Sequence, residues 1–191
     1  MLKPLLQTLP GICFTISDFA ELTTLIYSKN IHDFSLAAYA IFMLVNLNGF
    51  IYTNKLYDIK SISAWLFPAI IEMMMILISI WRRNHAIFYP SLVGSILFYI
   101  AYFYIVYTVK LPVKLFAIIP SILAPFGEFA QFYKIIQNKG CHGVSKLSWF
   151  LQFIGNIGLF FLIDTNSIEN YLITVIPALF DGLIVLSCLQ L

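Results

Sequence analysis

The sequence contains little charge for its length. Only 10% of its 191 residues are charged, whereas 61% are hydrophobic. A soluble domain has roughly 25% charged and roughly 45–50% apolar residues, and a soluble chain of this length has too little interior to bury so much apolar surface. The composition therefore predicts an integral membrane protein with the lipid bilayer as its main surroundings.

Features that would indicate specific chemistry are also lacking. The net charge of +2 gives no basic field for nucleic acid. There is no H-E-x-x-H, G-x-S-x-G or P-loop motif, so the sequence predicts no metal site, no cofactor and no enzyme. The three cysteines, Cys13, Cys141 and Cys188, form an odd and scattered set that predicts neither a disulfide framework nor a zinc site. We expect Cys13 and Cys188 to be small apolar residues inside helices.

Long apolar runs are what the sequence does contain. A spanning helix needs about 20 mostly apolar residues, and seven stretches reach that length: 9–28, 35–54, 61–81, 86–109, 113–137, 144–163 and 170–190. We expect the first to span rather than to be a cleaved signal, because no A-x-A-like site follows it and Asp18 and Glu21 stand where a signal's apolar core should end. The connections, such as 164–166, are short and polar, so we expect a single all-α membrane domain.

The basic residues indicate the orientation only weakly. With the N-terminus outside, six lie in inside loops and five in outside segments, a slight positive-inside bias. The inside set is Lys29, Arg82, Arg83, Lys134, Lys139 and Lys146, and the outside set is Lys3, Lys55, Lys60, Lys110 and Lys114. Trp81-Arg82-Arg83 is typical of an anchor at the membrane interface. The short loops favour the cytoplasmic membrane of a bacterium.

The chain contains an internal repeat. At an offset of 110 residues, the first helix pair falls on the fifth and sixth helices. Asp18, Lys29, His32, Ser35 and Asn46 then coincide with Glu128, Lys139, His142, Ser145 and Asn156. At an offset of 109 residues, Pro68–Glu72 falls on Pro177–Asp181. Matches between polar residues are rare by chance in such an apolar sequence, so they indicate a duplication. We expect His32 and His142 to lie in equivalent surface loops.

The two offsets predict three regions. A three-helix repeat covers 1–85, a linker helix covers 86–112, and a second three-helix repeat covers 113–191. Because the linker helix restores the starting orientation, the repeats should be parallel and related by an axis along the membrane normal. Transporters use this 3+1+3 design and bind substrate near the midplane between the repeats. The alternative is a structural protein in which the symmetry only reflects an ancestral duplication and has no role in transport.

Five of the nine acidic residues lie inside apolar stretches: Asp18, Glu21, Glu72, Glu128 and Asp181. A charge at the bilayer centre costs on the order of 2.5–3.5 kcal/mol on insertion scales, so such residues usually face a bundle interior or a wet cavity. Glu72 and Asp181 lie near the centres of their stretches, each four residues after a proline that can kink its helix. We interpret them as a proton or cation site. The alternative is a pair of protonated carboxyl groups that hydrogen-bond to neighbouring helices.

The second and sixth helices share a polar face. Ser35, Tyr39, Phe42 and Asn46 recur as Ser145, Trp149, Gln152 and Asn156, at steps of 4, 3 and 4 residues that keep the side chains on one helix face. An aromatic ring beside an amide suits a small polar solute. We therefore predict a solute site with Tyr39 and Trp149 as platforms and with Asn46, Gln152 and Asn156 as hydrogen-bonding groups. The alternative is that the two asparagines only join helices.

The second repeat resembles the PQ-loop family, which includes the SWEET sugar carriers and the lysosomal amino-acid exporters. The family signature is Pro-Gln, a basic residue three positions on, and a loop that ends in Gly-hydrophobic-Ser. Here Ala130-Gln131 stands at the Pro-Gln position, Lys134 follows, and Gly143-Val144-Ser145 ends the loop. The first repeat is degenerate, with Ala20-Glu21 and Asp33-Phe34-Ser35 at these positions. The resemblance covers both repeats and implies the 3+1+3 layout and alternating access.

The resemblance also assigns a hinge position in each half. In the family, the proline of Pro-Gln is thought to act as a hinge for alternating access. Ala20 and Ala130 replace it here, beside Glu21 and Gln131. The mobility of the first and fifth helices is therefore expected to differ from that of the family.

The sequence differs from the sugar carriers at positions where their solute pocket is expected. Those carriers place a tryptophan about one turn beyond the asparagines, where this chain has Gly49 and Leu159. They also use an asparagine in the third helix of each repeat, roughly where this chain has Glu72 and Asp181. These departures favour a cationic solute or a co-transported proton over a neutral sugar.

The sequence thus predicts a membrane carrier for a small polar metabolite, such as an amino acid, an amine or a sugar, that could be coupled to protons. Its partners would be the solute and the lipid bilayer, and a homo-oligomer is compatible with both. The first alternative is a non-transporting membrane helper or assembly protein. The second is an intramembrane enzyme that uses the acids as general acid and base.

Overall fold

A computed structural model describes residues 2–53, 65–109, 112, 115–161 and 168–190. These residues form seven α-helices and no β-strand, which confirms the expected all-helical class. The helices are α1 Leu2–Tyr27, α2 Leu36–Thr53, α3 Phe67–Arg83, α4 Phe88–Val109, α5 Leu115–Asn138, α6 Lys146–Phe160 and α7 Ile168–Gln190, with a 3-10 turn at His85–Ile87 before α4. The predicted outside residues Lys55, Lys60, Lys110 and Lys114 and the connection 164–166 lie outside the described residues.

Six of the helices pack into a closed ring. In order around it they are α1, α3, α2, α5, α7 and α6, with α6 returning to α1. Helix α4 stands outside the ring against α3. The packing of α1 on α6 has its counterpart in the packing of α5 on α2, and α3 contacts α1 and α2 as α7 contacts α5 and α6. The two sets of three helices therefore occupy opposite arcs of the ring.

The equivalent connections of the two halves meet at one end of this ring. The backbone N–H of Asp33 donates to the carbonyl of His142 over 3.4 Å, and an Asp33 carboxylate oxygen accepts from the His142 N–H at 2.6 Å. We call the end formed by the connections 28–35 and 139–145 the latch end. The main apolar core lies beside it and includes the fully buried side chains of Phe34, Ile135 and Trp149.

Polar and apolar side chains have the reverse of the distribution found in a soluble protein. Large apolar side chains such as Ile16, Phe126 and Leu186 are about half exposed on the outside of the ring, and no residue of α4 is buried. The buried set is instead rich in polar and acidic side chains, among them Asp18, Glu21, Asp33, Glu72, Glu128 and Asp181. The described residues therefore combine an apolar outer surface with a polar and acidic interior.

Two helical segments in the described part of the chain, Leu9–Tyr27 and His85–Val109, are long and apolar enough to cross a membrane. Two shorter apolar segments, Leu36–Tyr52 and Thr174–Gln190, accompany them.

The two prolines that precede the central acids stand in different places. Pro68 is the second residue of α3, and Trp65 and Leu66 before α3 are already in a π-helical turn. Pro177 lies inside α7, where it removes an internal hydrogen bond. The expected kink at Pro68 stays a prediction, because position 64, one turn earlier, lies outside the described residues.

The arginines of the Trp81-Arg82-Arg83 segment cap a helix end. Arg82 donates to the carbonyl oxygens of Leu25 and Ser28 at the end of α1, and Arg83 donates to those of Ile31 and Phe34 at 2.9 and 2.7 Å. The last carbonyls of a helix lack partners and carry partial negative charge. The two guanidinium groups therefore fix the first connection at the latch end, beyond the expected role as an interface anchor.

The cysteine prediction is wrong for two of the three residues. Cys141 and Cys188 form a disulfide with a Cα–Cα distance of 5.6 Å, whereas Cys13 is a buried free thiol as expected. Their separation of 47 residues gave no signal in the sequence. The bond exists because the end of α7 returns to the connection between α5 and α6, which only the ring order determines.

The disulfide predicts a specific thiol count. Protein that is denatured without reduction should react with maleimide at Cys13 alone, and reduced protein should react at all three cysteines, because only the free thiolate is nucleophilic. Mass spectrometry of the alkylated chain measures both counts. As a control, Cys141→Ser should free Cys188 and raise the unreduced count to two. Three reactive thiols in the unreduced wild type would contradict the bond.

Candidate functional site

A cavity of about 360 Å³ lies inside the ring. All six ring helices contribute to its wall, which is mostly apolar and aromatic. Its acidic and amide groups are Asp18, Asn46, Glu72, Glu128, Gln152 and Asn156. Ligand pockets for small molecules measure roughly 300–1,000 Å³ and combine apolar walls with a few converging polar groups. The cavity therefore has the size and composition of a site for one small molecule.

Three polar residues of the first half form one cluster on the cavity wall. The Asn46 side-chain N–H donates to Glu72 Oε1 at 2.8 Å, which joins α2 to α3. Asp18 of α1 lies close enough to Glu72 for a direct electrostatic interaction. Glu72 is 4% exposed and Asp18 is 8% exposed. We call Asp18, Asn46 and Glu72 the first cluster.

The second half builds the same arrangement from the equivalent residues. The Asn156 side-chain N–H donates to Asp181 Oδ2 at 2.8 Å, which joins α6 to α7. Glu128 of α5 lies close enough to Asp181 for a direct interaction between the two carboxyl groups. We call Glu128, Asn156 and Asp181 the second cluster. Asp181 is fully buried, and it does not line the cavity as the other two residues do.

The structure contains the features that both interpretations of Asn46 and Asn156 require. Asn46 and Asn156 do join neighbouring helices, as the packing alternative required. They also line the cavity, as the solute-site prediction required. Each amide uses one of its two N–H groups on a carboxylate, so the other N–H group and the carbonyl oxygen remain.

No basic side chain compensates these acids within the described residues, where no ion pair to a lysine or arginine forms. Three oxygens of the acids in the two clusters, Glu72 Oε2, Glu128 Oε2 and Asp181 Oδ1, are buried and lack a hydrogen-bond donor. An unpaired buried polar atom costs about 1–3 kcal/mol, and more when it is charged. The clusters beside the cavity therefore contain unsatisfied acceptors, and protonation of the carboxyl groups would lower this cost.

The predicted aromatic platforms lie in different surroundings. Tyr39 and Gln152 line the cavity. The Tyr39 ring stacks on Phe34 with a centroid separation of 4.3 Å. Trp149 is fully buried and packs against Phe42 at 6.3 Å, in the core beside the latch end. The structure thus brings Tyr39, Asn46, Gln152 and Asn156 to one cavity and leaves Trp149 behind its wall.

The two positions that resemble the Pro-Gln motif hold the halves together. Gln131 Oε1 accepts from the Ser35 backbone N–H at 2.9 Å, and Gln131 Nε2 donates to the Asp33 carbonyl at 2.8 Å. Reciprocally, Glu21 Oε2 accepts from the Ser145 backbone N–H at 2.8 Å. Both serines are also N-caps whose hydroxyl oxygens accept from a backbone N–H three residues on. Each half therefore supplies the side chain that satisfies the other half's helix start.

These reciprocal bonds separate the cavity from the latch end. The neighbouring hinge positions Ala20 and Ala130 are half-buried and leave the bonding to Glu21 and Gln131. The cavity wall takes most of its residues from the halves of the helices that are remote from the connections 28–35 and 139–145. The molecule is thus closed at one end by polar contacts between its halves.

Two acidic residues of the cavity wall, Asp18 and Glu128, are not among the predicted site residues, although both are acids in apolar stretches and partners in the repeat. Both lie past the middle of their predicted helices, where a shallow position was expected. In the ring, α1 and α5 carry them next to Glu72 and Asp181. The signal that could have found them is their coincidence at the same offset as Asn46 and Asn156.

The chain matches no protein-family model, and no curated protein or solved structure is significantly similar to it. We therefore infer its function from the cavity, the two polar clusters and the closed end.

Removing Gln131 should weaken the contact between the halves. Gln131→Ala leaves the buried Ser35 N–H and Asp33 carbonyl without partners, so the free energy of unfolding should fall by roughly 1–3 kcal/mol for each orphaned group. Unfolding by SDS, followed by tryptophan fluorescence, measures the change. Gln137→Ala is the matched control on the same helix, because Gln137 is exposed and should change stability by less than about 0.5 kcal/mol. Equal effects of the two variants would contradict the latch contact.

Gly143 should tolerate no side chain. Its φ of +80° favours glycine, and an added Cβ would lie 2.7 Å from the Ile31 Cα in the opposite half. Gly143→Ala should destabilise the protein by about 1–2 kcal/mol from the backbone conformation alone. Gly94→Ala, where a Cβ meets nothing within 4 Å, should be neutral or stabilising because alanine favours a helix. The same unfolding assay decides, and effects of the same sign would contradict the close approach.

Proposed function

We propose that this chain is a multi-pass membrane carrier that moves a small polar metabolite by alternating access between two three-helix repeats joined by a linker helix. The observation that carries this proposal is a single cavity, closed at one end, on which the two halves present equivalent polar clusters. A binding site between two related halves is the arrangement that transporters with parallel repeats use. The resemblance to the PQ-loop carriers supports the same layout.

The surface supports a chain that spans the membrane many times. The ring helices expose apolar side chains outward and turn their acids inward, and no residue of α4 is buried. In hydrocarbon such a surface has no tendency to aggregate, whereas in water exposed apolar area of this extent is an association surface. Polar groups inside a bilayer characteristically face the bundle interior and mark a solute or proton pathway.

Alternating access would require the latch end to open. The contacts that close it are a small set of hydrogen bonds, chiefly those of Glu21, Asp33 and Gln131. Each is worth about 0.5–1.5 kcal/mol net, because water can replace the partner when the end opens. The free energy lost when a few such bonds break is compatible with a closed and an open state that differ by a few kcal/mol.

The neighbouring carboxyl groups of the second cluster support coupling to protons. Glu128 and Asp181 interact directly, and a proton held between them would be released when a cation binds at this cluster. In this scheme the clusters bind solute and proton alternately, which makes transport respond to a pH gradient. A non-transporting helper remains the second candidate, since Asn46 and Asn156 would also be needed for packing alone.

Uptake into liposomes tests the proposal. Protein in sealed vesicles should accumulate at least one labelled amino acid, amine or sugar under an imposed solute or pH gradient, and a protonophore should abolish the pH-driven part. Glu72→Gln and Asp181→Asn should each lower uptake about tenfold or more, because a hydrogen bond to a charged group contributes about 1.5–3 kcal/mol.

Ser95→Ala is the control for these variants, because its hydroxyl only bonds to Ser91 within the peripheral helix α4; its uptake should equal that of the wild type. Absence of uptake for every compound, with altered stability in the two acid variants, would favour the helper instead.

A further inference from the structure

We infer that a groove on the outside of α6 and α7 binds the linker helix α4 of a second copy of this chain, so that copies associate side by side in the membrane. The contact lies on the outer surface of the ring and goes beyond the proposed transport of a solute.

The groove between α6 and α7 has a volume of about 660 Å³ and is almost entirely apolar. Asn156 and Thr174 are its polar lining residues, and the rest are aliphatic, aromatic or glycine. All of the lining residues come from α6 and α7, so none of the other described helices of the same chain lies over the groove. We call this surface the open groove.

The equivalent groove of the first repeat, between α2 and α3, is covered by α4. The Tyr99 hydroxyl donates to the Ala69 carbonyl at 3.0 Å, and the Phe103 ring packs against Phe50 with a centroid separation of 6.3 Å. At the offset of 109 residues, Ala69 coincides with Ala178, which lines the open groove. Helix α4 therefore lies on the surface whose counterpart is uncovered in the second repeat.

The exposure of equivalent side chains measures this difference. Leu47 is 0% exposed, whereas Ile157 at the same repeat position is 38% exposed. Leu77 is 8% exposed, whereas its counterpart Leu186 is 57% exposed. The two grooves are built from equivalent apolar positions, and the second one lacks the helix that covers the first.

A second copy supplies a helix that runs in the required direction. Helices α3 and α7 both end at the latch end, where Arg83 bonds to the Phe34 carbonyl and Cys188 is bonded to Cys141. Helix α4 begins at that same end, directly after α3, and is therefore antiparallel to it. Because copies of one chain insert into a membrane with the same orientation, α4 of a neighbouring copy is antiparallel to α7 in the same way.

The two surfaces can meet without disturbing either ring. Helix α4 packs on α3, and the edge formed by α6 and α7 lies directly across the ring from the edge formed by α2 and α3. The side of α4 that faces away from α3 presents large apolar side chains, among them Leu97, Ile100 and Tyr104, which are all more than half exposed. A copy can therefore keep its own α4 in place and offer the free side of that helix to a neighbour, which makes a head-to-tail contact.

Small residues make the open groove suitable for a close helix contact. Thr174, Ala178 and Gly182 recur at every fourth position of α7 and all line the groove. Residues of this size allow the backbones of two transmembrane helices to approach closely. Gly182 replaces Met73 of the covered groove, so the second repeat leaves more room for an incoming helix.

Cross-linking in intact membranes tests the contact. In a Cys13→Ser background, which removes the free thiol, one tagged chain carries Ile100→Cys and a differently tagged chain carries Leu179→Cys beside Ala178. A short bismaleimide should join the two tags. Ile70→Cys is the matched control, because it is the exposed repeat equivalent of Leu179 on the covered groove, and it should not be joined to Ile100→Cys of another chain.

Variants on the two surfaces test the packing. Gly182→Leu fills the open groove, and its added Cβ meets only the Phe153 ring, at 3.4 Å or more, so the ring should still fold. Single-molecule photobleaching in liposomes at several protein-to-lipid ratios measures association, which should weaken about tenfold or more. The double variant Ile100→Ala with Tyr104→Ala should weaken it from the α4 side, and it decides the test if Gly182→Leu does not fold. Met73→Leu, at the equivalent position of the covered groove, should leave association unchanged.

Several outcomes would overturn the inference. They are monomers at every protein-to-lipid ratio, equal cross-linking of Leu179→Cys and Ile70→Cys, and unchanged association in the folded groove and α4 variants. Cross-linking of Leu179→Cys to a different membrane protein, without association of copies, would assign the open groove to that partner and also overturn the second copy. None of these results depends on solute uptake, so the carrier proposal is tested separately.

Discussion

The structure depends on one constraint: the polar side chains of an apolar-surfaced protein can find partners only toward its interior. Six acids are buried in the ring and its latch end, and amide or backbone N–H groups satisfy one oxygen each of Glu21, Asp33, Glu72 and Asp181. The ring brings these donors and acceptors together. The pairing is incomplete on residues that line the cavity, at Glu72 Oε2 and Glu128 Oε2, and also on residues that do not, at Glu21 Oε1 and Asp181 Oδ1.

Duplication makes the pairing reciprocal. Gln131 satisfies the helix start at Ser35, and Glu21 satisfies the equivalent start at Ser145, so each repeat needs the other to complete its backbone hydrogen bonds. The same relation places polar residues of both halves on the cavity: Asp18, Asn46 and Glu72 from the first half, and Glu128 and Asn156 from the second. In the carrier that we propose, two interdependent halves of this kind can exchange one set of contacts for another without losing the ligand site.

The latch end and the cavity are separate in space but joined along the same helices. Asp18 and Glu21 are less than one turn apart on α1, and one faces the cavity while the other binds the latch. Glu128 and Gln131 repeat this arrangement on α5. The helix that carries an acid of the cavity wall therefore also carries a contact of the latch end.

The sequence by itself determined the helical class, the seven helices to within a few residues where the structure describes them, and the pairing of residues by the internal repeat. It did so because hydrophobic length and repeated polar positions are local or periodic signals. Tertiary packing alone decided the order of the helices in the ring and the disulfide between Cys141 and Cys188. It also decided that Trp149 lies in the core and that Asp18 and Glu128 line the cavity. Each depends on which helices become neighbours, and that follows from the summed contacts of distant segments, which no short stretch of sequence records.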